Sequence, residues 1–232
     1  MAFTAAAGFV NAATFMGSNR VVSHVTGSVT SVATERSLAL HITAIVLAFI
    51  GGGMLAVFAA EKLKQKPLLA YALPALGACG VLLAVALAGH AGAFGEFGEE
   101  NDVTGSVFPM LALLALAMGM INAAVAASTA SRIRVTHMTG PATDLAGHVV
   151  RSALRSGKDA RNELRWAWLR FGKILSFVAG GALAAKTAHR FEYGVFVIAA
   201  TILLVAIALT VTPTPVEQPS HDVHTRRPAP AR

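Results

Sequence analysis

The chain has 232 residues, 55% of them hydrophobic and 13% charged, with a formal net charge of +7. A soluble domain carries about 25% charged residues, so a water-soluble globular fold is excluded. The basic excess does not mark a nucleic-acid binder either, because it flanks long apolar runs, as the orientation of a membrane protein requires.

The first apolar run, Met1–Gly17, holds Gly8-Phe9-Val10-Asn11-Ala12-Ala13. It is short for a span, about 25 Å at 1.5 Å per residue. It lacks the basic start of a signal peptide and is read as a first helix. His24-Val25-Thr26-Gly27-Ser28 follows and opens a helix through Val29-Thr30-Ser31-Val32. Leu38–Ala60 is the second span, with Gly51-Gly52-Gly53 inside it as a close-packing site. Lys62, Lys64 and Lys66 follow, with Glu61 as the one acid. Leu68–His90 is the third span; Pro74 predicts a kink, and the lone Cys79 reads as a small buried hydrophobe. The next loop holds Glu96, Glu99, Glu100 and Asp102 and no basic residue.

Val107–Ala127, the fourth span, repeats the opening motif as Gly119-Met120-Ile121-Asn122-Ala123-Ala124. Arg132 and Arg134 come next, then His137-Met138-Thr139-Gly140-Pro141. Pro141 suits the first turn of a helix, which makes Thr139 or Gly140 the cap and puts Thr143 and Asp144 in that turn. Asp144–Phe171 is basic and amphipathic. It reads as an interfacial helix, with Arg151, Arg155, Arg161, Trp166 and Trp168 at the lipid headgroups, or equally as an ordinary loop that sets topology. Phe171–Ala185, with Gly180-Gly181, is the fifth span and Tyr193–Thr212 the sixth. From Pro213 a Pro-rich tail with His221 and His224 reads as disordered.

The chain therefore divides into repeat 1 (1–92), an acidic external loop (93–106), repeat 2 (107–212) and a tail (213–232). The expected class is an all-α integral membrane protein of six transmembrane helices, because backbone polar groups in lipid must be satisfied within a helix. The basic segments after the second and fourth spans and in the tail fall on one side, which places both termini in the cytoplasm. Three spans per repeat force the second copy to insert upside down, giving an inverted 3+3 repeat. The two Thr-Gly helix starts then enter from opposite faces.

A helix N-terminus within the membrane offers free N–H groups and partial positive charge, which suit an anion. The candidate substrate-binding residues are Asn11, His24, Thr26, Gly27, Asn122, His137, Thr139 and Gly140. The histidines would make anion binding stronger on acidification, since a charged imidazole and an anion favour each other. The structural alternative is that Thr-Gly only caps a helix and that the two Asn serve as interhelical glue. No hydrolase elbow, phosphate loop or His-Glu-x-x-His pair is present, so no catalytic residue, cofactor or metal is expected.

Gly-x-x-Asn-Ala and His-x-Thr-Gly, with Leu116–Ala124 and Val135–Gly140 carrying most of the match, resemble the YoaK-type family of uncharacterised bacterial multi-pass membrane proteins. The likeness covers about residues 1–212. It implies an inner-membrane protein and supplies no chemistry. It also implies Asp where Asn11 stands, and a start further upstream than Met1.

The function expected is a small secondary transporter or permease for a small anion or carboxylate, not an enzyme, with the bilayer as its other partner. The alternative is a non-transporting membrane scaffold or lipid-interacting protein. The span count has a direct check. A cysteine at Glu99 should react from outside the cell, and one at Lys64 or Lys158 from the cytoplasm. Finding Glu99 and Lys64 on the same side contradicts six spans.

Overall fold

The structure is a computed structural model that describes residues 1–98, 104–129 and 134–211. Glu99, Glu100, Asp102, Arg132 and the tail from Pro213, with His221 and His224, lie outside the described residues. Among those described, the fold is all helical: α1 (Ala2–Ser18), α2 (Val25–Thr34), α3 (Ala39–Lys62), α4 (Pro67–His90), α5 (Val107–Ser128), α6 (Thr139–Leu154), α7 (Gly157–Phe191) and α8 (Val195–Val211), with a 3-10 turn at Glu192–Gly194. Four stretches are long and apolar enough to cross a membrane: Ala39–Lys62, Pro67–His90, Val107–Ser128 and Gly157–Thr210. The chain is a membrane protein by that criterion. Many large apolar side chains face outward, Leu40, Met54 and Leu87 among them, as a lipid solvent allows.

The core lies along α4, which packs on α5 and on α8. Leu82, Met110, Leu111, Leu114, Met118, Phe196 and Leu203 are fully buried there. Contacts along α4 fix directions. Phe3 of α1 stacks edge-on against Tyr71 near the start of α4, and Gly98 beyond the end of α4 donates its N–H to the Gly17 carbonyl. So α1 runs with α4. Ser106 before α5 bonds the Phe94 carbonyl just after α4, while Gly77 faces Met120, so α5 runs against α4. The two helices that share the Gly-x-x-Asn-Ala-Ala motif thus run in opposite senses. Cys79 is buried, its Sγ 3.8 Å from the Ala200 carbonyl.

Each motif helix packs on a helix of the other half. A Cβ on Gly8 would overlap the Phe177 carbonyl, and one on Gly119 the Phe49 carbonyl. A Cβ on Gly180 would overlap the Ala5 carbonyl, and one on Gly52 the Leu116 carbonyl. These contacts form two equivalent sets, since Phe49-x-x-Gly52-Gly53 in α3 matches Phe177-x-x-Gly180-Gly181 in α7. Small residues are needed because backbones can touch only where no side chain intervenes.

Three local expectations are corrected. Residues Asp144–Phe171 do not form one interfacial helix. α6 ends at Leu154, Ser156 is extended (φ −129°, ψ 161°), and Gly157 has a left-handed φ of +62°. The second part then continues into α7, whose 35 residues span about 52 Å, longer than a ~30 Å hydrocarbon core. α6 begins at Thr139 with Met138 as its cap, so Thr143 and Asp144 sit beyond the first turn. Asp144 instead pairs with Arg170 of α7 at 3.2 Å. α2 begins at Val25, with His24 in the cap position.

The glycine contacts predict a sharp contrast. Gly52→Ala or Gly119→Ala pushes against backbone, so α3 and α5 must separate, at a cost on the order of 1–3 kcal/mol. Gly80 has open space around it, so Gly80→Ala should be neutral or stabilise by up to about 1 kcal/mol. Thermal unfolding of the three variants in detergent measures this. Equal midpoints would contradict the close approach.

Candidate functional site

The motif helices, α1 and α5, each end in an irregular segment that leads to a shorter helix, α2 or α6. Asn11 lies one turn beyond Gly8, and Asn122 one turn beyond Gly119, so each Asn shares the glycine's helix face. Each Asn holds the irregular segment that follows. Asn11 is buried; its Oδ1 accepts from the Ser23 N–H (3.4 Å) and hydroxyl (2.9 Å), and its Nδ2 donates to the Ser23 oxygen (2.6 Å). Asn122 Oδ1 accepts from the Thr136 N–H at the same 3.4 Å. Ser23 and Thr136 each immediately precede the histidine of the motif. Among the described residues, Asn122 Nδ2 has no hydrogen-bond partner.

Both irregular segments open onto one cavity of about 730 Å³ between the halves. Asn11, His24 and Thr26 line it from the first half, and Asn122, His137 and Thr139 from the second. Gly27 and Gly140 do not line it; each lies behind its histidine, and a Cβ there would come 3.0 Å from the ring. Gly8 and Gly181, from the α1–α7 contact, form part of the wall, and Phe15, Phe49 and Phe177 line it as well. No acidic residue lines the cavity among the described residues.

The two helix starts are only partly free. The Gly140 N–H donates to His137 Nε2 at 3.2 Å, which requires a lone pair on that nitrogen. Thr30 and Thr143 each turn their hydroxyl back to the carbonyl four residues earlier, that of Thr26 or Thr139, at 3.0 and 3.1 Å. This arrangement also recurs in the two halves.

Two residues of the cavity region went unremarked in the sequence as site residues. In the sequence Arg134 is one loop charge among several, yet it lines the cavity, and its guanidinium makes no ion pair among the described residues. Lys173 is 7% exposed, and its ammonium donates to the backbone carbonyls of Arg134 (2.5 Å) and His137 (3.0 Å). It ties α7 to the segment that carries both residues. The available signal was its position as the one charged residue in the run Phe171–Ala185.

The basic segment also has internal partners. Glu163 of α7 accepts from His148 (2.7 Å), Arg151 (3.0 Å) and Arg155 (2.5 Å). Arg151 and Arg155 are therefore engaged in joining α6 to α7. Arg161 and Trp168 are exposed, and Trp166 stacks near His148. On the other half, Arg20 pairs with Glu35 at 2.7 Å, and that bond lowers the carboxyl's pKa.

With this geometry in view, the comparisons give a family. The chain belongs to the family described as "Protein of unknown function (DUF1275)", which it matches over residues 1–209. That range takes in both halves and every residue of the cavity. No curated protein and no solved structure matches the chain.

The Lys173 contacts predict a local effect. Lys173→Met keeps an unbranched, flexible side chain and removes two charge-assisted bonds, worth roughly 1.5–3 kcal/mol each. Amide exchange at Thr136 and Gly140 should rise about tenfold or more, while exchange at Ser23 stays as it was. Unchanged protection at Thr136 would show that Lys173 does not hold the segment.

Proposed function

We propose that this chain is a small secondary transporter, with a site for a small anion or carboxylate between two inverted repeats of three spans each. In this reading α1, α3, α4, α5, α7 and α8 are the six spans, and α2 and α6 are short helices that enter from opposite faces. The opposite senses of α1 and α5 and the two equivalent sets of glycine contacts support the inversion. The basic segments support a cytoplasmic position for both termini. The YoaK-type resemblance, resting on the same motif residues, supports a bacterial inner membrane.

The observation that carries the proposal is the cavity. Six of the eight motif residues, three from each half, line one space whose titratable members are Arg134, His24 and His137. A site at the interface of inverted repeats is what alternating access requires, because rocking one repeat on the other exposes it to each side in turn. A packing role alone does not require the motifs of both halves to meet at one opening.

The scaffold or lipid-binding alternative rests on Arg161, Trp166 and Trp168. Charge reversal at Arg151 or Arg155 no longer isolates that role, because both residues hold Glu163. Arg161 does isolate it.

Purified protein in proteoliposomes should exchange a radiolabelled small anion or carboxylate, and Asn122→Ala should lower the flux at least tenfold. Arg161→Glu should leave it within twofold. Folded protein that moves no member of a broad anion panel would contradict transport. Loss of activity on Arg161→Glu with Asn122→Ala silent would favour the lipid-binding role.

A further inference from the structure

The two halves of the cavity are equivalent in backbone but not in charge. Arg134 stands three residues before His137, and the matching position before His24 is Val21. Both line the cavity. Lys173 stands four residues before Phe177, and the matching position before Phe49 is Ile45. Asn11 has its amide engaged on both sides by Ser23, whereas Asn122 keeps its Nδ2 free among the described residues. The second half thus brings a guanidinium, a free amide N–H₂ and an anchored backbone to the cavity. The first half brings an isopropyl group and a closed amide.

The other charges near these segments are committed elsewhere. Asp144 pairs with Arg170, Glu163 with His148, Arg151 and Arg155, and Glu35 with Arg20. Arg134 is the cationic side chain, histidine aside, that lines the cavity without a carboxylate partner among the described residues. Phe15, Val25, Phe49, Ile50 and Phe177 make the rest of the wall largely apolar.

We infer that the cavity selects an amphipathic monocarboxylate, its carboxylate held by Arg134 and Asn122 and its apolar body lying along the wall toward Val21. This rests on the anion-site reading above and narrows it. A planar guanidinium fork matches the two oxygens of a carboxylate. A single fork with one amide satisfies one carboxylate, and a second carboxylate would meet only the imidazoles of His24 and His137 among the lining side chains that can carry positive charge. A large apolar wall rewards an alkyl or aryl body, which inorganic phosphate lacks. Lys173 acts as a positioning residue, because it bonds the Arg134 carbonyl and leaves the guanidinium to the ligand.

Calorimetry on the full chain in detergent tests this with acetate, butanoate, hexanoate, hexanamide, adipate and phosphate as probes. Hexanoate should bind best. Affinity should rise about threefold to fourfold per added methylene from acetate, and hexanamide and adipate should each bind at least tenfold more weakly than hexanoate. Arg134→Gln should remove the preference for hexanoate over hexanamide, and Arg134→Lys should restore part of it. The guanidinium has no protein partner among the described residues, so neither change should move the unfolding midpoint by more than a few degrees. Val21→Arg supplies a second fork on the opposite segment and should shift preference from hexanoate to adipate. Phosphate or adipate binding tighter than hexanoate to the unaltered protein overturns the monocarboxylate assignment and leaves the anion site standing. Binding of none of the probes, with the protein folded, overturns both. A hexanoate preference that survives Arg134→Gln overturns the role of Arg134.

Discussion

Everything about the cavity depends on two backbone-to-backbone contacts, α1 on α7 and α5 on α3. Each joins a helix of one half to a helix of the other through glycine. In lipid there is no hydrophobic drive to hold helices together, so close van der Waals contact must do it. Glycine supplies that contact by omitting the side chain that would keep the axes apart. One turn further on, the same helix face presents Asn11 or Asn122. The constraint that fixes the halves therefore also fixes the depth and direction of the polar residues between them. Gly8 and Gly181 serve both purposes at once, since they make the contact and line the cavity.

From that frame the irregular segments follow. A chain leaving a helix in the membrane must satisfy its own N–H groups or face water. Asn11 takes the Ser23 N–H and Asn122 the Thr136 N–H, so each motif asparagine provides what a helix would otherwise provide. The chain can then start a new short helix at His24 or Met138. The second half adds Lys173 under two carbonyls, which the first half, with Ile45, does without. That difference makes one side of the cavity firmer and more cationic than the other.

The four long apolar helical stretches were legible because lipid admits so few solutions: an apolar run of the right length must be a helix. The repeat was legible because Gly-x-x-Asn-Ala-Ala and His-x-Thr-Gly recur in the same order. The meeting of Asn11, His24, Thr26, Asn122, His137 and Thr139 at one opening depends on tertiary packing that spacing alone does not encode. The break at Ser156–Gly157 was hidden, because a basic amphipathic run reads as one helix until a glycine takes a positive φ. Arg151 and Arg155 looked free for lipid because their partner, Glu163, is on the next helix and nothing in spacing pairs them. Lys173 left a trace, a lone charge in an apolar run. Arg134 left none beyond its rank among other loop cations.

The central claim is that the two halves share one cavity. It is tested most directly by single and paired cysteines at Thr26 and Thr139 in a Cys79→Ala background, labelled with a small, water-soluble, anionic thiol reagent. The account predicts that each single cysteine reacts, and that in the paired variant reaction at one slows the other at least tenfold. Two cysteines that react independently, at the rates of the single variants, would contradict a shared cavity.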